Sequence, residues 1–266
     1  MQWTGNTILI TGGGSGIGRG LAEALHKLGN QVVIAGRRRA VLEAVSAANP
    51  GMQSLTVDMQ DGEAIRAFAG KATAQFPALN VLINNAGIMR PEKLLAQPAE
   101  VPDAEAIVAT NLLGPIRLTA ALLPHLEMQA AAAIVNVSSG LAFLPLALTP
   151  TYSATKAAIH SYTMSLRYQL RKTHIEVVEL APPYVATDLM DGRNDPRAMP
   201  LDQFIAEAML ILQRQPTPAE ILVENVKRLR FAAESGNFDA IFNGLVAGMV
   251  EVGRCSRLRS TSCPSC

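Results

Sequence analysis

Short apolar stretches rich in β-branched residues alternate with longer amphipathic stretches along most of this sequence. Six of them are predicted to be buried strands, at residues 8–11, 31–35, 53–57, 79–84, 133–138 and 175–180. Five stretches with helical periodicity lie between or after these strands, at residues 16–28, 40–48, 61–75, 103–128 and 152–173. Because a connection between two parallel strands has to cross one face of their sheet, such alternation is typical of a parallel sheet covered by helices. We therefore predict an α/β fold, a doubly wound parallel sheet with helices on both faces.

The length of the chain fits one α/β domain. Its 266 residues are 49% hydrophobic and show no repeat or low-complexity linker, so we assign residues 1–250 to a single domain. Residues 236–250 are apolar and predicted to be helical. Residues 251–266 have no periodicity and are rich in serine and arginine, which predicts a disordered tail or an artefact of cloning.

Charge and composition argue against several classes of partner. The formal net charge is +1, and the single basic run, Arg37 to Arg39, is too short to form a nucleic-acid-binding face. No apolar stretch is expected to reach membrane-spanning length and no signal peptide is evident, so we predict a cytoplasmic protein without a membrane partner. All three cysteines lie in the last dozen residues, and we predict no metal site in the body of the chain.

A glycine-rich stretch follows the first predicted strand and leads directly into the first helix. It contains Gly12, Gly16 and Gly18, with Ser15 and Ile17 between them. Glycines at such a turn let a phosphate approach the backbone amides at the positive end of the helix. The stretch does not match the strict G-x-G-x-x-G pattern, and a glycine-rich turn without a ligand is the alternative.

Tyr152 and Lys156 are four residues apart in a predicted helix, and side chains at that spacing share one face. A cation beside a phenol favours the phenolate, so we expect Lys156 to lower the pKa of Tyr152 from its usual value of about 10. Ser139 ends a predicted buried strand, from which its hydroxyl could bind the same substrate oxygen that Tyr152 protonates. Taken without Ser139, the pair could equally be an ordinary contact on a helix surface.

Five motifs in this order and spacing resemble the short-chain dehydrogenase/reductase family. They are Thr11-Gly12-x-x-x-Gly16-x-Gly18, Asn84-Asn85-Ala86-Gly87, Asn111, Ser139 and Tyr152-x-x-x-Lys156. The resemblance covers residues 5–190 and implies a Rossmann-type fold, a nicotinamide cofactor and a catalytic tetrad of Asn111, Ser139, Tyr152 and Lys156. It further implies that the carbonyl of Asn111 holds a water molecule that links Lys156 to solvent.

The resemblance also implies a set of cofactor contacts, to which Tyr152 and Lys156 belong. The others are Gly12, Ser15, Gly16, Ile17, Gly18, Asp58, Asn85, Ala86, Gly87, Val185 and Thr187. The choice between cofactors follows from charge, because an NAD site needs a carboxylate after the second strand, whereas Gly36 is followed here by Arg37 and Arg38. Their guanidinium groups suit a 2′-phosphate, which predicts NADP(H).

The sequence departs from the family after the sixth strand. Pro183 stands where the family usually has glycine, as it does in a subgroup similar to bacterial oxidoreductases of D-alanyl-lipoteichoic-acid operons. Residues 188–215 correspond to the substrate lid. An apolar substrate pocket and ordinary packing are equally compatible with one group of side chains, namely Leu141, Phe143, Leu144, Tyr184 and Met190. We expect the family's final strand to be absent from this chain.

We expect an NADP(H)-dependent enzyme that transfers hydride between nicotinamide and a small carbonyl or alcohol substrate. The alternative is a regulatory protein that binds NADP(H) without turnover. Helices 103–128 and 152–173 are apolar on more than one face and correspond to the family's dimer contact, which predicts a homodimer, with a homotetramer as the alternative. The residues expected at that contact are Leu118, Ala121, Leu122, Ala157, Ala158, Tyr162 and Leu166.

Overall fold

The computed structural model describes residues 1–96, 101–190, 192 and 195–245. A parallel sheet of seven strands, in the order β3-β2-β1-β4-β5-β6-β7, forms its centre. The strands are β1 Thr7–Thr11, β2 Gln31–Gly36, β3 Gln53–Thr56, β4 Leu79–Asn84, β5 Ala132–Val137, β6 Ile175–Leu180 and β7 Glu220–Ile221. The chain reverses its direction of progress across the sheet between β1 and β4, which is where such folds bind ligands. The predicted doubly wound α/β fold is confirmed.

Helices cover both faces of the sheet. They are α1 Gly16–Lys27, α2 Arg39–Ala48, α3 Gly62–Gln75, α4 Pro102–Val108, α5 Gly114–Glu127, α6 Pro150–Leu170, α7 Leu201–Leu212 and α8 Glu224–Arg230. Side chains alternate along a strand, so Ile8 and Ile10 of β1 pack on one side with α1 and α7, whereas Leu9 packs on the other with α3, α5 and α6. Each face therefore has its own buried apolar layer.

The helix predicted over residues 103–128 is interrupted. A π-helical segment, Ala109–Leu113, separates α4 from α5 and contains the buried Asn111. The stretch Pro102–Glu127 is 26 residues long and contains an 18-residue window with a mean hydropathy of 1.6, so the expectation that no apolar stretch reaches membrane-spanning length was wrong. Its apolar residues Leu118, Leu122 and Leu126 are fully buried against the sheet, which is the packing of a core helix.

Several other expectations need correction. The final strand exists, as the two-residue β7 at the edge beside β6. Leu118, Leu122 and Leu166 belong to the sheet-facing core and are not available to a second copy of the chain. Residues 238–245 are helical, as predicted for this part of 236–250. The remainder of that segment, the tail at 251–266 and its three cysteines lie outside the described residues.

Candidate active site

The glycine-rich turn joins β1 to α1 at the C-terminal edge of the sheet. Gly12 has a φ of +69°, which only glycine adopts without strain. A β-carbon on Gly18 would lie 2.4 Å from the carbonyl oxygen of Gly12, so a side chain there would displace the backbone of the turn. Ser15 precedes the first residue of α1, and its side chain makes no capping hydrogen bond. The amides at this helix start are therefore directed at the space where an anion would bind.

Asn85 and Ala86 hold the glycine-rich turn against the end of β4. The backbone amides of both residues donate to Thr11 Oγ1, at 3.0 and 3.1 Å, and Asn85 Nδ2 donates to the Thr11 carbonyl oxygen at 3.0 Å. The hydroxyl and carbonyl oxygens of Thr11 thus accept hydrogen bonds from the residues after β4. The predicted cofactor residue Asn85 acts here through its side chain as a brace for the turn.

A cavity of about 560 Å³ opens beside the turn. Four of the predicted cofactor residues line it, namely Ser15, Gly16, Arg38 and Thr187. Arg38 donates to Ser15 Oγ at 3.3 Å, which brings its guanidinium next to the start of α1. The wall also includes Arg19, which sequence reasoning did not single out and which forms an ion pair with Glu23 at 2.8 Å. Its position one residue after the glycine motif was the available signal.

The other predicted cofactor residues are not among the residues that line this cavity. Arg37 is exposed in the turn between β2 and α2. Asp58, in the turn after β3, accepts a hydrogen bond from the Gln60 amide at 3.0 Å. Val185 is buried and pairs with Met199 in an isolated bridge. Of the remainder, Tyr152 and Lys156 lie on α6, and the others lie between β1 and the first turn of α1 or in the loop after β4, namely Gly12, Ile17, Gly18, Asn85, Ala86 and Gly87.

Three residues of the predicted tetrad meet at the end of β5. Ser139 follows β5 by two residues, and its side chain lies close enough to the Tyr152 phenol, in the first turn of α6, to affect the pKa of that phenol. Lys156 Nζ lies 5.6 Å from the centroid of the Tyr152 ring and donates to the Val137 carbonyl oxygen at 2.8 Å. All three side chains are buried. A hydroxyl donor, a phenol and an ammonium group are therefore held within one small volume.

Asn111 approaches this group from the π-helical segment. Its amide clamps the loop after β4, because Nδ2 donates to the Ile88 carbonyl oxygen and Oδ1 accepts from the Ile88 amide, both at 2.9 Å. It also donates to Thr155 Oγ1 at 3.4 Å, which ties it to α6. A β-carbon on Gly87 would lie 3.8 Å from Lys156 Nζ, so the clamped loop passes close to the ammonium group.

Burial dominates the acid/base properties of the site. It raises the pKa of Tyr152 to about 12, and the nearby Ser139 hydroxyl opposes that change. It lowers the pKa of Lys156 to about 8, against the attraction of the Glu179 carboxylate. The expectation that Lys156 lowers the pKa of the phenol below its usual value is therefore wrong for the protein alone, because desolvation of the phenolate is the larger effect.

Comparisons with known proteins fit this geometry. The model of the short chain dehydrogenase family matches residues 6–198. The chain belongs to this family. It is 39% identical over 245 residues to the uncharacterised oxidoreductase DltE of Bacillus subtilis, covering 91% of this chain and 97% of that protein.

Solved structures share the architecture of this short-chain dehydrogenase. A short-chain dehydrogenase from Burkholderia cenocepacia in complex with NADP has a TM-score of 0.77 at 25% identity, over 92% of this chain and 99% of that one. A 3-ketoacyl-(acyl-carrier-protein) reductase from Brucella melitensis complexed with NADH has a TM-score of 0.73 at 30% identity, over 81% and 93%. The resemblance inferred from the five motifs is confirmed, and the chain is an oxidoreductase of this family.

The region after β6 in this short-chain dehydrogenase, where a substrate lid was predicted, consists of a loop and a helix that packs into the core. A 3₁₀ turn, Asp188–Met190, follows the loop, whereas the apolar side of α7 packs into the main core. Of the side chains considered for a substrate pocket, Leu144 packs with Ala232 and Ile241, which is the packing alternative. The Tyr184 hydroxyl donates to Asp195 Oδ2 at 3.2 Å.

Glu92 is a second residue that sequence reasoning missed. It is buried in the loop after β4, and its carboxylate accepts from the amide and the hydroxyl of Thr151, at 2.9 and 2.8 Å. Thr151 directly precedes Tyr152, so Glu92 neutralises the positive end of the helix that carries the phenol. A glutamate this far from the helix in sequence offers no local signal of that role.

Proposed function

We propose that the chain is an NADP(H)-dependent oxidoreductase that transfers hydride between nicotinamide and a carbonyl or alcohol substrate, with Tyr152 as general acid/base. The observation that carries the proposal is the burial of Ser139, Tyr152 and Lys156 together at the end of β5, with the ammonium group of Lys156 5.6 Å from the centroid of the phenol ring. A positioned donor and a positioned acid on one substrate oxygen are what carbonyl reduction requires besides hydride. The bound cofactor would supply that hydride.

Each residue of the tetrad has a separate task in this proposal. The Ser139 hydroxyl binds the substrate oxygen and orients it towards Tyr152. Tyr152 donates the proton in reduction and accepts it in oxidation. Lys156 supplies positive charge beside the phenol, and the resemblance assigns it the nicotinamide ribose as well. Asn111 keeps the Ile88 loop in place beside Lys156.

The residues at the cavity suit a dinucleotide with a 2′-phosphate. The turn at Gly12 and Gly18 has no room for a β-carbon, and the start of α1 directs free amides at the cavity, which fits a pyrophosphate. Arg38 lies beside Ser15, and Arg37 is exposed next to it. Arg39 is occupied by an ion pair with Glu43 at 2.7 Å. Relatives with NAD and with NADP both exist, so the arginines carry the choice of NADP(H).

The pKa of Tyr152 favours the reductive direction. With a pKa of about 12 the phenol carries its proton at neutral pH, which is the form that a carbonyl acceptor needs. Lys156, with a pKa of about 8, is charged below that pH. We therefore expect carbonyl reduction to proceed at pH 7 and to decline as the pH rises above about 8.

A panel assay tests the proposal. Purified protein is incubated with NADPH or NADP and with panels of ketones, aldehydes and alcohols, and the nicotinamide absorbance at 340 nm is followed. Turnover of a carbonyl compound with NADPH supports the proposal. Binding of NADPH without turnover across a broad panel would favour the regulatory alternative, and absence of binding would contradict both.

We also propose that the chain forms a homodimer through the outer faces of α5 and α6. Exposed apolar side chains are present at Leu113, which ends the π-helical segment just before α5, and at Met164 and Tyr168 of α6. Light scattering after size exclusion should give twice the mass of one chain, 28.3 kDa. A monomer mass would contradict the contact, and a tetramer mass would implicate a second one. The cytoplasmic location stays a prediction.

A further inference from the structure

A row of polar side chains crosses the sheet beneath α5 and α6. Asn84 of β4 is in register with Asn136 of β5, Asn136 with Glu179 of β6, and Glu179 with Glu220 of β7. Asn84 Nδ2 donates to Asn136 Oδ1 at 2.9 Å, and Asn136 Nδ2 donates to Thr163 Oγ1 at 2.9 Å. The row replaces apolar residues at one level of the core, directly under the helix that carries Tyr152.

Two members of this row, Asn84 and Glu179, each have one buried side-chain oxygen without a hydrogen-bond partner among the described residues, and of the two only Glu179 is a carboxylic acid. Its side chain has no exposure to solvent. Oε2 is 2.8 Å from His160 Nδ1, whereas Oε1 is buried without a hydrogen-bond partner among the described residues. A buried carboxylate is costly unless a positive charge lies nearby. We therefore expect a positively charged side chain near Glu179 in the same part of the core.

Lys156 is buried on the helix that supplies His160. The two residues are four apart and lie on the same side of α6. The ammonium group of Lys156 donates to a neutral acceptor, the Val137 carbonyl oxygen at the end of β5. Burial lowers the pKa of Lys156, and the Glu179 carboxylate is the charge that opposes this change.

The other charged groups around Glu179 are already paired or face elsewhere. Both oxygens of Glu220 accept from Arg230, at 3.0 and 3.3 Å, and Arg230 also pairs with Glu234 at 2.9 Å. Arg167 of α6 donates to the backbone carbonyl oxygens of Val177 and Ala219. The ligand atoms of His160, Glu179 and Glu220 lie within 4.8 Å of one another, but Arg230 occupies Glu220, which disfavours a metal ion there.

We propose that Glu179, oriented by His160, is the buried counter-charge of Lys156 and thereby a positioning residue for the acid/base reaction of Tyr152. Its importance for turnover rests on the proposed function, whereas its coupling to Lys156 does not. Without the carboxylate, Lys156 would lose its proton at a lower pH. The phenol would then lack a neighbouring positive charge over more of the working range.

The coupling is measured on the free enzyme, so that failure of the proposed activity leaves the test intact. Lysine labelled with ¹³C at Cε reports the titration of Lys156, which is assigned by the signal that disappears in Lys156→Met. In Glu179→Gln we expect the titration midpoint of Lys156 to fall by about one pH unit or more. Glu176→Gln is the matched control, because it removes the same charge from β6 at a side chain with 40% exposure. Its effect should be below about 0.3 unit.

A reciprocal measurement covers the case in which Glu179→Gln does not fold. Coupling between two titrating groups is mutual, so the carboxyl midpoint of Glu179 in Lys156→Met should rise by the amount that Glu179→Gln takes from Lys156. An active enzyme should also show the alkaline limb of kcat at lower pH in Glu179→Gln. An unchanged Lys156 midpoint in Glu179→Gln, or an unchanged Glu179 midpoint in Lys156→Met, would overturn the proposal.

Discussion

Two cationic regions lie along the C-terminal edge of the sheet, and they differ in their access to water. Arg37 and Arg38, after β2, are exposed, whereas Lys156, beside β5, is buried. An exposed guanidinium keeps its charge at any ordinary pH and contributes through the anion that it contacts. A buried ammonium loses its charge at a lower pH, so its surroundings decide when it is charged. Under the proposed function, positive charge would serve cofactor binding at one end of this edge of the sheet and proton transfer at the other.

The largest expected effect is that of removing the phenol hydroxyl of the buried Tyr152. We expect Tyr152→Phe to lower kcat by about 10²–10⁴-fold while the Kd for NADPH stays nearly unchanged, because only the proton donor is lost. Tyr168→Phe is the control, since Tyr168 lies on the same helix with 66% exposure. Steady-state kinetics and fluorescence titration measure the two quantities. Retention of more than a few per cent of kcat would contradict the role of Tyr152.

Replacing the buried cation should stabilise the protein in a pH-dependent way. The pKa of Lys156 is lowered from 10.5 to about 8, so between these pH values the unfolded state binds more protons and the stability of the wild type rises with pH. Below pH 8 Lys156 is charged in the folded state, and burial of that charge lowers the free energy of unfolding by about 3 kcal/mol. Lys156→Met should remove it.

Chemical unfolding at several pH values tests this prediction. Lys156→Met should exceed the wild type in free energy of unfolding by up to about 3 kcal/mol at pH 7, and the excess should vanish as the pH rises from about 8 to 10.5. The exposed Lys172 provides the control Lys172→Met, for which no such trend is expected. An excess that is independent of pH would mean that packing, not charge, accounts for it.

At the exposed Arg37 and Arg38, the expected effect is on cofactor binding alone. The double variant Arg37→Ala, Arg38→Ala should weaken NADPH binding by about 1.5–3 kcal/mol for each lost charged contact and NADH binding far less. Arg39→Ala, which removes a cation already paired with Glu43, should leave the preference unchanged. Calorimetric titration of the wild type and the variants with NADPH and with NADH measures these changes in binding free energy. Equal losses for NADPH and NADH would rule out a 2′-phosphate contact.

The smallest expected effect concerns the stability of α6, the helix that carries Tyr152 and Lys156. Glu92→Ala removes the acceptor of two hydrogen bonds from Thr151 and should lower the free energy of unfolding by about 1–2 kcal/mol. Glu105→Ala, at an exposed position in α4, should change it by less than about 0.5 kcal/mol. Similar losses in both variants would show that Glu92 does not stabilise the start of α6.

The sequence was most informative where a local pattern implies one backbone geometry. Alternating strands and helices predicted six of the seven strands, and Gly12 to Gly18 predicted the turn that joins β1 to α1. The two-residue β7 was missed because so short a strand has no periodicity of its own. The π-helical segment in the helix 103–128 was likewise not evident from its apolar residues.

By itself the sequence determined the fold, the family and the likeness of Tyr152, Lys156 and Ser139 to a proton-transfer group, because strand alternation and helical spacing are local properties. Only the tertiary structure decided the electrostatics of that group. The sequence argument expected a lowered pKa for Tyr152, but burial beside β5 raises it to about 12. Glu92 and Glu179 reach α6 from distant parts of the chain. Desolvation and long-range charge depend on which residues the fold surrounds with others, and spacing along the chain does not contain that information.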